Sequence, residues 1–332
     1  MADGVTDNGA DTGSDPESGS AAAAADTTTS APDATGAASS AEWFARIEEI
    51  GETLGHYQPI GARHAAFFVD DGPTLLVVFD AAASIRAAGA DQMPAGYGLA
   101  RAQGWSYLCL IADGETWFRD PAVWAYFDRQ LDDGFFEDFE QVLFYGVEMG
   151  GYAAAAYSVA APGAVVLTVR PQATLEPDCA EWDGRFPQAR RLDFVSRYGY
   201  APEMVEAAAK VFVIYDPDRT HDAMHATLFR QPHVTRLRCR HMGGRLEVGL
   251  MKLGLVEQIL RLAAEDRLDA PTFYRLYREA RRSHMPYLLR LISKLTAQQR
   301  NGLAARVAGW ALSRQEHPKL REAWRSAAAQ RG

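Results

Sequence analysis

Seven short apolar runs, separated by longer stretches with helical spacing, constrain this 332-residue chain more than any other feature. The runs are "HAAFFV", "TLLVVFD", "SYLCLIA", "VLFYG", "AVVLTVR", "VFVIYD" and "HVTRLRC". Strands buried on both faces read as near-continuous aliphatic and aromatic runs, because neither face can carry polar groups away from water. Most of the intervening segments, such as "PAVWAYFDRQLDDGFFEDFE" and "PEMVEAAAK", are long enough for a crossover helix. Strands alternating with helices in this way predict an α/β fold, a mostly parallel sheet with helices on both faces.

The ends of the chain differ from its middle. Residues 1–41 are built from Ala, Ser, Thr, Gly, Asp and Pro, with almost nothing large and apolar. Such a segment cannot offset its ordering entropy by burial, which predicts a disordered acidic tail. The sheet domain is expected over residues 42–271, its first helix starting near "AEWFARIEEIGETLG". Beyond His241 the periodicity is helical throughout, and residues 272–332 read as a basic helical extension. The net charge of −9 conceals an asymmetry. Residues 1–42 hold eight acidic and no basic side chains, whereas residues 272–332 hold thirteen basic and three acidic ones. The segment between them, with 21 basic and 32 acidic residues, is acidic.

Several function classes are disfavoured. The acidic balance argues against a dedicated nucleic-acid binder. No apolar run approaches the ~20 residues of a membrane span, and the first residues lack the basic-then-apolar order of a secretory leader. Cys109, Cys179 and Cys239 form no CxxC pair and no metal-ligand spacing, so neither metal nor cofactor is expected. Two of them lie in strand-like runs, where a buried inert thiol is the ordinary reading. Together these features predict a cytoplasmic protein.

The most specific stretch is "VLFYGVEMGGYAAAAYS", residues 142–158. A strand enters Gly146-Val147-Glu148-Met149-Gly150 and a helix of small residues leaves it. Small residues two before and two after the centre suit a turn so sharp that side chains there would collide. The sequence here resembles the α/β-hydrolase fold family over about residues 60–255, with "YGVEMGGYAA" similar to the family's G-x-S-M-G-G-Y nucleophile turn. Glu148 stands where the family has serine. The resemblance implies an α/β-hydrolase-like sheet and a triad in the order nucleophile, acid, histidine. Asp216 fills the acid slot at the end of "VFVIYD", with Asp218 two residues beyond. His241 fills the histidine slot after the last strand, and His221, His225 and His233 are alternatives. The oxyanion donors implied are the Met149 N–H and one from the exit loop Asp80-Ala81-Ala82, Ala81 being the choice. Trp117, Arg119, Asp120, Arg170 and Gln172 fall on loops at the same sheet edge. The two arginines there read first as ion-pair partners and second as seats for an acidic ligand. "EWDGRFPQARRLDFVSRYGYAPEM" is placed to form a small cap. A phosphoadenosine phosphosulfate reductase is not supported, since its S-G-G-x-D-S loop and E-C-G-x-H motif are both missing.

Glutamate changes what such a site can do. Its carboxylate reaches ~2.5 Å beyond a serine hydroxyl, into the volume of the attacked carbon. It also brings no proton for the histidine and is a weak nucleophile toward ordinary esters. A protonated His241 is expected to pair with it across the pocket. One implication is a non-catalytic module that binds a small molecule or a protein. A second is a hydrolase acting through Glu148 with His241 and Asp216. A third is an interaction protein whose contacts lie in the basic helices, where an acidic partner would suit.

Overall fold

The computed structural model describes residues 32–88 and 91–329. Residues 1–31, most of the expected acidic tail, lie outside that range. The remainder of the expected tail meets the fold: Ala34 is fully buried, its N–H donates to the Asp91 carbonyl at 2.8 Å, and the Ser39 side chain caps the first helix.

Eight strands form one sheet: β1 (His56–Ile60), β2 (His64–Val69), β3 (Thr74–Ala81), β4 (Ser106–Ala112), β5 (Gln141–Val147), β6 (Val165–Val169), β7 (Lys210–Tyr215) and β8 (Val234–Arg238). Their order is β1-β2-β4-β3-β5-β6-β7-β8. β2 pairs antiparallel with β1 and β4, and every other pairing is parallel. All seven predicted runs are strands. The eighth, β1, carries Pro59 at the sheet edge, where a missing N–H leaves no ladder bond unmade.

Successive residues of a strand point to opposite faces, and the core divides accordingly. Leu75, Val77 and Phe79 of β3 face one apolar layer, while Leu76 and Val78 face the other. The first layer is closed by α4 (Pro121–Asp132) and α5 (Met149–Tyr157). The second is closed by α1 (Ser40–Leu54), α2 (Ala82–Ala88), α3 (Tyr97–Gln103) and the helices that follow β8. The connection from β6 to β7 contains the four-residue helices α6 (Pro177–Ala180) and α7 (Ala201–Met204) and a 3-10 turn at Ala189–Arg191, so "PEMVEAAAK" supplies one turn where a crossover helix was expected. α8 (Thr220–Leu228) joins β7 to β8.

The chain then runs through α9 (Leu246–Lys252), α10 (Leu255–Ala264), α11 (Ala270–Ala280), α12 (Met285–Ala297), α13 (Asn301–Leu312) and α14 (Pro318–Ala329). Phe273, Tyr277, Leu288, Ile292, Ala308 and Leu320 are buried in the same layer as Leu76 and Val78. The basic helices therefore extend the core over one sheet face, with their charges turned outward. Among the described residues no helix is long and apolar enough to cross a membrane.

At the centre of the sheet β5 must turn into α5 against β3, and glycine makes this possible. A Cβ on Gly146 would lie 2.1 Å from the Gly150 carbonyl oxygen, and one on Gly150 would lie 2.1 Å from that of Phe79. Both obstacles are main chain and cannot rotate away. Gly150→Ala is therefore expected to lower stability by ~1–3 kcal/mol, the usual penalty of overpacking. Urea denaturation checks this, and an unchanged midpoint would show that β3 and α5 can separate freely.

Candidate functional site

Glu148 occupies the turn between β5 and α5 with φ 49° and ψ −114°. Side chains rarely adopt this conformation, which costs on the order of 1–3 kcal/mol and persists only where the surroundings over-determine it. Here the Glu148 N–H donates to the Val169 carbonyl at 2.9 Å, and its own carbonyl accepts from the Tyr152 N–H at 2.8 Å. Arg170 and His241, each following its own strand, also have positive φ, 53° and 66°. Strained residues thus gather on the exit loops of β5, β6 and β8, as at many functional sites.

Arg170 links these loops. Its Nη2 lies 2.6 Å from Glu148 Oε1, and its Nε lies 3.0 Å from Glu247 Oε2 on the first turn of α9. Its Nη1 donates to the Gly244 carbonyl, in the loop that carries His241. The Arg170 side chain is 7% exposed, against 44% for Glu148 and 17% for Glu247. Burial raises the pKa of Glu247, the Glu148 charge adds to this, and Arg170 opposes it. The expected Glu148–His241 pair is replaced by Glu148–Arg170, because a guanidinium rising from the adjacent strand offers permanent charge and a fork of donors.

His241 pairs instead with Asp218, Nδ1 to Oδ2 at 2.6 Å. Asp218 also receives Lys294 of α12 at 2.9 Å. Burial pushes its carboxyl upward, but the Lys294 hydrogen bond and the His241 charge outweigh this and hold it below the usual range. The expected partner Asp216 has a different task. Its Oδ1 accepts from the Asp218 N–H at 3.0 Å and its Oδ2 from the Gly243 N–H at 2.7 Å. Fully buried and bonded to main chain, Asp216 joins the β7 and β8 exit loops, and the carboxylate beside His241 is that of Asp218, two residues on.

The oxyanion assignments diverge. Met149 begins α5, where an N–H has no intrahelical acceptor, which suits it as a donor. Its sulfur accepts from the Trp117 N–H at 3.0 Å. The Ala81 N–H, in contrast, is taken by Asp80 Oδ1 at 2.8 Å and is not free for an oxyanion. Burial pushes the Asp80 carboxyl up to about 7, against hydrogen bonds from the Ala81 and Ala95 main chain.

The remaining candidates are structural. The His233 ring meets the Val205 carbonyl at 2.9 Å, and His221 stacks on Trp182. His225 Nε2 donates to Asp183 Oδ2 at 2.9 Å while its Nδ1 accepts from the Ala173 N–H at 3.1 Å, which fixes a neutral tautomer. Burial lowers its pKa further than Asp183 raises it. Arg185 bridges Asp183 and Asp222 at 2.7 and 2.6 Å, so this network ties the segment after β6 to α8. Sequence reading passed over it because its members lie up to 42 residues apart with no motif. Arg119 donates to the carbonyls of Asp193 and Arg197 and stacks over Trp124, fastening the predicted cap. Asp120 caps α4, and the Gln172 amide donates to the Arg170 carbonyl at 3.3 Å. Trp117 is buried against Tyr152, Phe186 and Phe194, the last two from the cap.

No protein-family model matches this sequence, and the comparison with curated proteins gave no match. Among solved structures the chain is similar to a hyperthermophilic esterase from the archaeon Pyrobaculum calidifontis, at 13% identity and a TM-score of 0.37 over 73% of this chain and 94% of the other. It is also similar to a putative thioesterase from a Silicibacter species, at 16% identity and a TM-score of 0.40 over 60% and 83%. A glycosylation-associated protein complex from Streptococcus agalactiae aligns at 14% identity and a TM-score of 0.41 over 63% of this chain and 46% of that one, less than half its length. None of these likenesses bears on what the chain binds or transforms.

Arg170→Met removes the cation that lies 2.6 Å from Glu148 and 3.0 Å from Glu247. A loss of ~1–3 kcal/mol is expected at pH 7, reduced from the value for a fully buried pair because Glu148 is half exposed. The folded-state pKa of Glu247 is already raised, and losing Arg170 raises it further. Between the ordinary and the raised value the fold binds more protons than the unfolded chain, so stability falls as pH rises. The deficit should therefore shrink from pH 7 to pH 5 in urea titrations, and an equal deficit at both would contradict the clamp.

Proposed function

We propose that this chain is a non-catalytic binding module built on an α/β-hydrolase-like frame. The observation that carries this reading is Glu148 in the nucleophile slot with its carboxylate 2.6 Å from Arg170. A nucleophile at this turn needs a free oxygen and a proton to hand to the histidine. Glu148 supplies no hydroxyl proton, and its ion pair with Arg170 occupies one of its two oxygens. The clamp also ties down the loops after β6 and β8, leaving the rim rigid and suited to holding a small molecule or a protein segment without turnover.

The His241–Asp218 pair at 2.6 Å favours a second reading, in which a base is kept ready and Glu148 attacks an alkyl carbon or positions a water. Hydrolysis of a panel of activated esters and epoxides separates the two. The binding reading predicts that the natural protein turns over no faster than His241→Ala. Turnover by the natural protein that is lost in both Glu148→Gln and His241→Ala would overturn it and make the chain a carboxylate-dependent hydrolase.

A further inference from the structure

The outward face of the C-terminal helices carries a groove that the strand-exit site does not explain. Three adjoining hollows of about 520, 510 and 260 Å³ run from the end of β8 along α11 to the cleft beside α13. The first two share Arg278 and Arg281, and the last two share Arg282, Trp310 and Arg314. Besides Arg240, which pairs with Asp218 at 3.7 Å, six arginines line it, Arg238, Arg278, Arg281, Arg282, Arg306 and Arg314, with Glu279 as the acidic residue on the rim. Among the described residues, no carboxylate forms an ion pair with any of these six arginines.

Several of the guanidinium groups are held in place without being neutralised. The Arg281 carbon lies 5.1 Å from the ring centroids of both Tyr277 and Tyr287, and that of Arg314 lies 4.2 Å from Trp310. A cation over an aromatic ring is held by the ring's quadrupole and keeps its full charge. The middle of the groove is apolar, formed by Leu288, Leu291 and Val307 with the rings of Tyr287 and Trp310. Ordered unpaired cations around an apolar floor match a chain that presents carboxylates and apolar side chains together.

We propose that this groove is a docking site for an acidic segment of a protein partner, one that carries aliphatic or aromatic anchors among its Asp and Glu residues. Charge complementarity supplies the first argument, since residues 272–332 hold thirteen basic against three acidic side chains. A long phosphate backbone fits less well. On leaving the groove it would meet a body that holds 32 acidic against 21 basic residues between 43 and 271. This inference is independent of the non-catalytic reading of Glu148.

Fluorescence anisotropy with the full chain tests it, using a labelled Asp/Glu-rich peptide bearing Leu and Phe, the same peptide with Leu and Phe replaced by Ser, and a labelled oligouridine of equal charge. Saturable binding of the first is expected, weaker binding of the other two, and loss of affinity with added salt. Arg282 and Arg306 are exposed and not stacked on a ring, so Arg282→Glu with Arg306→Glu should keep the natural denaturation midpoint. That variant should bind the peptide about tenfold or more weakly. If it does not fold, Arg306→Gln serves in its place, with a smaller loss in the same direction. Absence of saturable binding, affinity unchanged by the arginine substitutions, or tighter binding of oligouridine would each overturn the proposal.

Discussion

One guanidinium, that of Arg170, holds the strand-exit face of this protein together. It leaves β6, reaches the Glu148 carboxylate on one side and that of Glu247 on the other, and bonds the Gly244 carbonyl beyond. Segments that leave β5, β6 and β8 are thereby joined at one rim. A residue with φ 49° at the strand-to-helix turn is affordable only in such a setting, where main-chain bonds to Val169 and Tyr152 and the ion pair all favour the same conformation.

The same interaction bears on the chemistry. A serine in this turn would stand free of Arg170, because its side chain is too short to require or supply a charge. Glutamate projects further, and it reaches the Arg170 guanidinium that rises from the adjoining strand. Meanwhile the His241–Asp218 pair, tied to α12 through Lys294, is held by contacts that do not involve Glu148. The two halves of the expected triad are thus stabilised separately, each by its own counter-ion.

Most of the fold was legible in the sequence. Parallel strands buried on both faces leave unbroken apolar runs, and seven of the eight strands showed themselves in that way. β1 did not, because "HYQPI" is a half-exposed edge strand interrupted by Pro59. The sharp turn was visible because sterics demand Gly146 and Gly150 at fixed spacing. The site was less legible. Asp216 and Asp218 are both acidic and two residues apart, and only the path of the loop decides which carboxylate faces the histidine and which binds main chain. The hydrogen bond from the Ala81 N–H to Asp80 was hidden for a similar reason, since it depends on how the Asp80 side chain turns. Glu247 had no signal at all, since an acidic residue in the first turn of a helix is common and its pairing depends on tertiary approach.

Labelling with a fluorophosphonate probe, read by intact mass, separates a filled nucleophile turn from a working one, because the probe bonds to an activated hydroxyl. No adduct is expected on the natural chain, and a single adduct on Glu148→Ser, located at residue 148. An adduct on the natural chain that His241→Ala removes would contradict the non-catalytic reading, since some other nucleophile would then be served by His241.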